Sequence, residues 1–194
     1  MLDIAFPKNN EKSLLAQAKK LGSNPLFVYE PKLYKDGGMF IIATSIRDID
    51  SARKVAKRAQ FVIASSTEEK TIRKIMESKW IKFFTNIETS TGRDHTHYRR
   101  SNFNQVLAVL AKETGKTYLI DFSRLLKITD KNRTILIGRI MQNIRICQKF
   151  KVPISIVTFA REPYHLRNPR DLQALLRAMK TKKVTDVEEL LNKL

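Results

Sequence analysis

The sequence lacks the features by which several classes of protein are recognised. It contains a single cysteine, Cys147, so no intrachain disulfide can form and a reducing compartment is expected. No apolar run reaches the ~18 residues of a membrane span, and the N-terminus lacks the layout of a signal peptide. We therefore expect a soluble, cytoplasmic protein that has no membrane partner.

The sequence also lacks the common catalytic patterns. It has no P-loop, no GxGxxG, no Cys-x-x-Cys and no Ser-His-Asp arrangement. There are three histidines, and the His95-x-His97 pair has no acidic or thiol companion at metal-ligand spacing. We therefore predict no catalytic residue, no metal site and no cofactor bound by this chain.

Acidic residues are scarce relative to basic ones. The chain has 19 Asp and Glu against 37 Lys and Arg, which gives a formal net charge of +18 and a pI near 10.2. Such an excess favours a polyanionic partner, because each neutralised phosphate releases condensed counterions. The basic residues are spread along the whole chain, which favours a nucleic acid over a membrane surface.

What the sequence does contain is a regular alternation of strand-like and helix-like segments. Its 194 residues, 42% of them hydrophobic, are enough for one domain over residues 1–194 with a sizeable core. The strand-like segments are almost continuously apolar, which is typical of a parallel sheet buried on both faces. They are MLDIAF, Leu26–Glu30, Met39–Ser45, Phe61–Ser66, Ile81–Ile87, TYLIDFS and PISIVTF. The pattern predicts an α/β barrel or a doubly wound sheet; a full barrel usually needs ~250 residues, so units here must be short or irregular.

Arginines follow the last strand-like segments. Loops at the carboxyl ends of parallel strands are where α/β folds place their ligand sites. The irregular stretch Gly92–Phe103 also interleaves arginines with His95, His97 and Tyr98, a combination suited to irregular RNA. The predicted RNA-binding residues are Arg93, Arg99, Arg100, Arg124, Arg161, Arg167 and Arg170.

The segment LRNPRDL at Leu166–Leu172 carries a more specific signal. Asn168 followed by Pro169 predicts a helix start, with Asn as the cap and Pro at the first helical position. A helix N-terminus offers N–H groups and partial positive charge. With Arg167 and Arg170 beside it, this end predicts a phosphate contact, unless the arginines pair with neighbouring side chains instead.

A helix is predicted over Asn132–Phe150. One face carries an apolar stripe made of Leu136, Ile140, Ile144 and Cys147, so we expect Cys147 to be an inert core residue. The opposite face carries Arg139, Gln142, Arg145 and Lys149. This face is either a solvated barrel surface or a contact surface. Apolar residues among the polar ones favour a protein interface, and the predicted partner-binding set is Ile135, Arg139, Arg145 and Ile146.

These residues together resemble a known family. GKTYLIDFSRLL, the helix with Arg139-Ile140 and Asn143-Ile144-Arg145, KFKVPISIVTFA and LRNPRDLQALL closely resemble archaeal ribonuclease P protein component 3. RRSNFNQVLAVLAKETG resembles the same family, so the match covers about Arg99 to Met179. One departure is Thr158-Phe159-Ala160, where members of that family often carry a Ser-Gly-Ala-like turn.

The resemblance implies a TIM-barrel-like fold related to the PHP-type metallohydrolases. It implies a protein subunit of ribonuclease P, which removes the 5′ leader of precursor tRNA. The RNA component is the catalyst there, with Mg²⁺ expected for it. The implied partners are the ribonuclease P RNA, a small partner protein subunit, the other ribonuclease P proteins and, indirectly, precursor tRNA. The chain would not be catalytic alone.

Two other functions remain open from the sequence. One is a free-standing, metal-dependent TIM-barrel phosphoesterase that uses Asp3, Asp121, His95 and His97. A PHP-type hydrolase needs a His-x-His on its first strand, and Leu2–Phe6 contains no histidine. The other is an unspecialised basic RNA-binding barrel with no fixed complex.

Overall fold

A computed structural model of the chain describes residues 2–34, 36–89, 92–182, 184, 185 and 189. Its centre is one parallel sheet of seven strands that follow each other in chain order. The strands are β1 Leu2–Ala5, β2 Asn24–Tyr29, β3 Gly38–Ile42, β4 Phe61–Ser65, β5 Phe83–Thr85, β6 Thr117–Asp121 and β7 Ile154–Val157. The helices are α1 Glu11–Leu21, α2 Ile46–Ala56, α3 Glu69–Glu77, α4 Gln105–Glu113, α5 Phe122–Lys127, α6 Asp130–Phe150 and α7 Pro169–Ala178.

The first and last strands meet, so the sheet nearly closes on itself. Ala5 and Ala160 form a parallel bridge, and the Phe6 N–H donates to the Ala160 carbonyl over 2.8 Å. The carboxylate of Asp3 accepts hydrogen bonds from the Thr158 N–H at 2.7 Å and from the Thr158 hydroxyl. The arrangement is a nearly closed, seven-stranded parallel barrel. It confirms the predicted TIM-barrel-like α/β class and the shortened form.

The core has two layers because the strands are buried on both faces. Alternate strand residues fill the barrel interior, among them Ile4, Phe40 and Phe83. The residues between them, such as Ile41 and Ile120, pack outwards against the helices. On α6 the predicted apolar stripe is buried, and Cys147 is fully enclosed with its pKa raised by burial.

Phe159 lies where the sequence departs from the Ser-Gly-Ala-like turn of the family that it resembles. Its backbone lies in the left-handed region at φ 46°, which bulky residues rarely adopt. The ring is buried and packs edge-on against Phe40, with 5.5 Å between ring centroids, and beside Phe6 at 5.4 Å. The turn after β7 therefore has the backbone shape that glycine favours, and aromatic packing offsets the strain.

None of the helices within the described residues is long and apolar enough to cross a membrane.

Candidate nucleic-acid interface

The seven arginines predicted to bind RNA share one sector of the barrel. Arg93, Arg99 and Arg100 follow β5, Arg124 follows β6, and the other three follow β7. These strands are neighbours in the sheet, and they run parallel. Their carboxyl ends therefore lie side by side, and the segments that carry these arginines begin at one continuous part of the rim, which we call the β5–β7 rim.

The arginines differ in exposure. Arg93, Arg99, Arg100 and Arg170 are exposed, as expected for a binding surface. The other three are half-buried, namely Arg124, Arg161 and Arg167. Two of these lie over aromatic rings, since Arg161 is 5.5 Å from the centroid of Phe6 and Arg167 is 5.6 Å from that of Phe122. Arg167 also donates to the Tyr164 and Leu166 carbonyls, so part of its role is structural.

The loop after β5 folds back onto α6. The Gln142 side chain makes a two-way contact with the Arg99 backbone, accepting from its N–H and donating to its carbonyl, each over 2.8 Å. Asp94 lies inside the loop and accepts from Arg99 Nη1 at 3.1 Å and from the Arg100 N–H at 3.0 Å. The loop that carries three of the rim arginines is thus held against a helix.

Arg139 is the main link between this loop and α6. Its Nε donates to Asp94 Oδ1 over 2.7 Å, and its two terminal nitrogens donate to the carbonyls of Gly92, at 2.6 Å, and Glu88, at 3.3 Å. Partial burial disfavours the charged carboxylate, but the bonds from Arg139, Arg100 and Arg99 outweigh it and lower the pKa of Asp94. No local pattern around Asp94 predicts this contact, because its partner Arg139 lies 45 positions away.

The predicted partner-binding face of α6 must be corrected in two places. Arg139 is not on a solvated face, since only 6% of it is exposed beneath the loop. Ile146 was expected to lie away from the core, yet it is half-buried and packs against the main core. Ile146→Asp would therefore place a carboxylate against the core and destabilise the fold itself. Arg145 is exposed and Ile135 half-buried, and the binding of a partner by this set stays a prediction.

The predicted start of α7 is confirmed. The backbone N–H groups of its first turn, however, already donate hydrogen bonds within the chain. The Asn168 side chain caps the helix by accepting from the Arg170 N–H at 2.9 Å. The N–H groups of Asp171 and Leu172 donate to the Asn168 carbonyl, and Pro169 has none. Any phosphate contact at this end must therefore come from side chains, chiefly the exposed Arg170.

A buried polar network lies behind the rim. Glu88 follows β5 and is 1% exposed, and its Oε2 accepts from the Tyr118 hydroxyl over 2.9 Å. Asn143 on α6 donates weakly to the same hydroxyl at 3.4 Å. Burial raises the pKa of Glu88 to about 7, although the bond from Tyr118 and the charge of Arg124 act in the opposite direction. Sequence reasoning missed this network.

The residues of the alternative metal site are not brought together. Asp3 is buried in β1 and bonded to Thr158, and Asp121 accepts from Asn86 Nδ2 at 3.1 Å. His95 and His97 lie on the exposed loop, where the His95 ring stacks on Tyr98 with 4.4 Å between centroids. Across the described ranges there is no group of three or more His, Cys, Asp or Glu that could hold a metal ion.

Gly138 on α6 gives a test of how Arg99 is positioned. A Cβ at Gly138 would lie 2.4 Å from Arg99 Cζ, so the Arg99 guanidinium must move if Gly138 is replaced by alanine. Alanine is about 1 kcal/mol better than glycine inside a helix. We therefore expect Gly138→Ala to keep or raise the melting temperature, by about 2 to 4 °C, while weakening RNA binding.

The measurements are a thermal melt and an RNA titration. Arg99→Gln is the matched variant, and combining it with Gly138→Ala should cause no further loss of affinity, because both changes remove the same contact. A marked drop in melting temperature for Gly138→Ala would show that Arg99 cannot move and would contradict this account.

No protein-family model matches the chain. The chain is similar to the protein named ribonuclease P protein component 3 from Methanococcus vannielii, at 24% identity over 183 residues, which is 91% of this chain and 72% of that protein. It is also similar to the protein of the same name from Methanocaldococcus jannaschii, at 35% identity over 81 residues, 41% of this chain and 34% of that protein.

Its fold is similar to that of one chain in the cryo-EM structure of archaeal ribonuclease P with mature tRNA. The TM-score is 0.72 at 19% identity, and the match covers 98% of this chain and 80% of the other. The comparisons confirm the resemblance predicted from the sequence: this chain is similar to the proteins named ribonuclease P protein component 3.

Proposed function

We propose that this chain is a protein subunit of ribonuclease P and supports removal of the 5′ leader from precursor tRNA by RNA. The observation that carries the proposal is the similarity to ribonuclease P protein component 3 over 91% of the chain. In this role the chain binds the catalytic RNA and a small partner subunit, and the Mg²⁺ needed for cleavage belongs to the RNA. It needs no metal or cofactor of its own.

The β5–β7 rim is the surface we assign to the RNA. Its exposed members Arg93, Arg99, Arg100 and Arg170 present fixed charge on loops that a packed barrel holds in place. Guanidinium groups suit phosphates because their planar donors can bond two oxygens at once. Tyr98, which is 59% exposed beside them, offers a ring on which a base can stack.

Reconstitution tests the proposal directly. The catalytic RNA and the remaining protein subunits are assembled with and without this chain, and the cleavage of precursor tRNA is measured. Omission should reduce cleavage, and a chain carrying Arg93→Gln and Arg100→Gln should restore it poorly. Arg53→Gln, an exposed change on α2, is the matched control and should restore it fully. Normal cleavage without the chain would contradict the proposal.

RNA binding should depend steeply on salt. If the four exposed rim arginines each neutralise one phosphate, log affinity should fall against log salt with a slope of about −3 to −4. Filter binding across a salt series measures the slope. The double variant at Arg93 and Arg100 should reduce it by roughly 1.5, whereas Arg53→Gln should leave it unchanged. A flat response in the wild-type protein would contradict the assignment.

The alternative of a free-standing phosphoesterase has a separate test. Purified, RNA-free protein is assayed with Mn²⁺ or Zn²⁺ and a simple phosphodiester. We expect no turnover, because Asp3 is bonded inside the barrel and the two histidines lie on an outer loop. Metal-dependent turnover lost on Asp121→Asn would favour the alternative.

A further inference from the structure

A large cavity opens behind the β5–β7 rim. It has a volume of about 970 Å³ and lies between the loop after β5 and the helices α5 and α6. This volume is at the upper end of the range for small-molecule sites, about 300 to 1,000 Å³. The cavity is therefore large enough to enclose a nucleotide.

The cavity wall carries more positive than negative charge. Five basic residues line it, namely Arg93, Arg99, Arg124, Lys131 and Arg139. The two acids are Glu88 and Asp94, and Asp94 is already bonded to Arg99 and Arg139. Within the described part of the chain, no carboxylate forms an ion pair with Arg93, Arg124 or Lys131. An anion entering the cavity would meet three cations that are not paired.

Arg124 supplies an independent indication of a missing anionic partner. Its Nε is buried and has no hydrogen-bond acceptor among the described residues. An unpaired buried donor destabilises the folded state, so native structures rarely leave one without a partner. A phosphate oxygen in the cavity would provide an acceptor for this guanidinium.

Another part of the wall is apolar. Ile128, Ile135 and Leu136 line it, from the end of α5 and the first turns of α6. An inorganic anion would make no favourable contact with these apolar side chains, whereas a base or ribose would pack against them. Glu88 opposes an anion only weakly near neutral pH, because burial raises its pKa to about 7.

We propose that this cavity binds one nucleotide, with the phosphate held by Arg124, Arg93 and Lys131 and the base or ribose against Ile128, Ile135 and Leu136. The nucleotide is either free or part of an RNA strand, since both present the same chemistry. In the second case the inference rests on the proposed function and extends it, because one nucleotide of the bound RNA then enters the protein.

The test uses the purified full-length chain and calorimetric titration with adenosine 5′-monophosphate. Arg124→Gln should weaken binding by at least about tenfold, since a hydrogen bond to a charged group contributes about 1.5 to 3 kcal/mol. Arg53→Gln should bind as the wild type does, and a thermal melt shows that each variant is folded. Absence of nucleotide binding to the wild-type protein, or equal binding by Arg124→Gln, would overturn the proposal.

Further probes separate the possible occupants. Inorganic phosphate and adenosine should each bind more weakly than the nucleotide, and equal binding of phosphate would reduce the cavity to a simple anion site and overturn the proposal. Tighter binding of a hexa-aspartate peptide would assign the cavity to a protein segment instead. If a short RNA competes with adenosine 5′-monophosphate for the cavity, the occupant is a nucleotide of an RNA strand. If the short RNA does not compete, the occupant is the free nucleotide. The cleavage of precursor tRNA by the reconstituted complex tests the proposed function separately. The nucleotide site and the proposed function can therefore each be disproved without the other.

Discussion

Replacing Arg139 with methionine is expected to lower the free energy of unfolding by about 2 to 3 kcal/mol, because bonds from a charged group are lost. Methionine keeps the apolar stem but removes the three donor nitrogens, leaving Asp94 and the Gly92 and Glu88 carbonyls without this partner. For a chain of this size the melting temperature should fall by about 5 to 10 °C. Thermal melts of the two proteins measure the difference.

The same substitution should also weaken RNA binding, since the loop that carries Arg93, Arg99 and Arg100 loses its main attachment. Arg145→Met is the matched control, because Arg145 is exposed on the same helix and its loss should change stability by less than ~0.5 kcal/mol. Arg139→Lys should fall between the two, since one ammonium cannot reach three acceptors in the guanidinium geometry. Equal melting temperatures for Arg139→Met and Arg145→Met would show that the link contributes nothing.

Replacing Glu88 with glutamine should make the protein more stable at neutral and alkaline pH. Burial raises the pKa of Glu88 from its ordinary 4.5 to about 7, so the folded state binds this proton more tightly than the unfolded state does. Its stabilising contribution is therefore complete below pH 4.5 and is lost as the pH rises to about 7. Glutamine stays neutral and can still accept from Tyr118, so it avoids that loss.

Denaturant unfolding at a series of pH values measures the effect. The difference in unfolding free energy between Glu88→Gln and the wild type should be near zero at pH 4.5 and grow to about 3 kcal/mol above pH 7. Asp3, whose pKa burial raises from 3.8 to about 6, causes a separate loss of stability at lower pH that both proteins share. Glu113→Gln, an exposed change on α4, should stay within ~0.5 kcal/mol of the wild type. The same small effect for Glu88→Gln would disprove the account.

The barrel and its basic rim could be predicted because both depend on local patterns. Strands buried on two faces appear as short apolar runs, and seven were located within a few residues of their observed positions. The rule that parallel strands carry ligands at their carboxyl ends then places the arginines together. The helix cap at Asn168 could also be predicted from the local sequence, since Pro169 follows Asn168 directly.

The parts of the site that could not be predicted depend on pairings distant in sequence. Helical periodicity assigns Arg139 to a face of α6, but it does not show that a loop from 45 residues earlier covers that face. The irregular loop has no periodicity from which its path could be inferred. Glu88 and Tyr118 lie 30 residues apart, and nothing near Glu88 in the sequence marks it as buried.

The bond between Asp3 and Thr158 joins residues that are 155 positions apart. During synthesis at about 5 to 20 residues per second, β1 leaves the ribosome roughly 8 to 30 s before its closing neighbour β7 exists. For that interval the outer edge of β1 is an unpaired strand edge, which can pair with other chains. The nascent chain is therefore most prone to aggregation before Thr158 emerges, and chaperones that shield apolar N-terminal segments should raise the yield of folded protein.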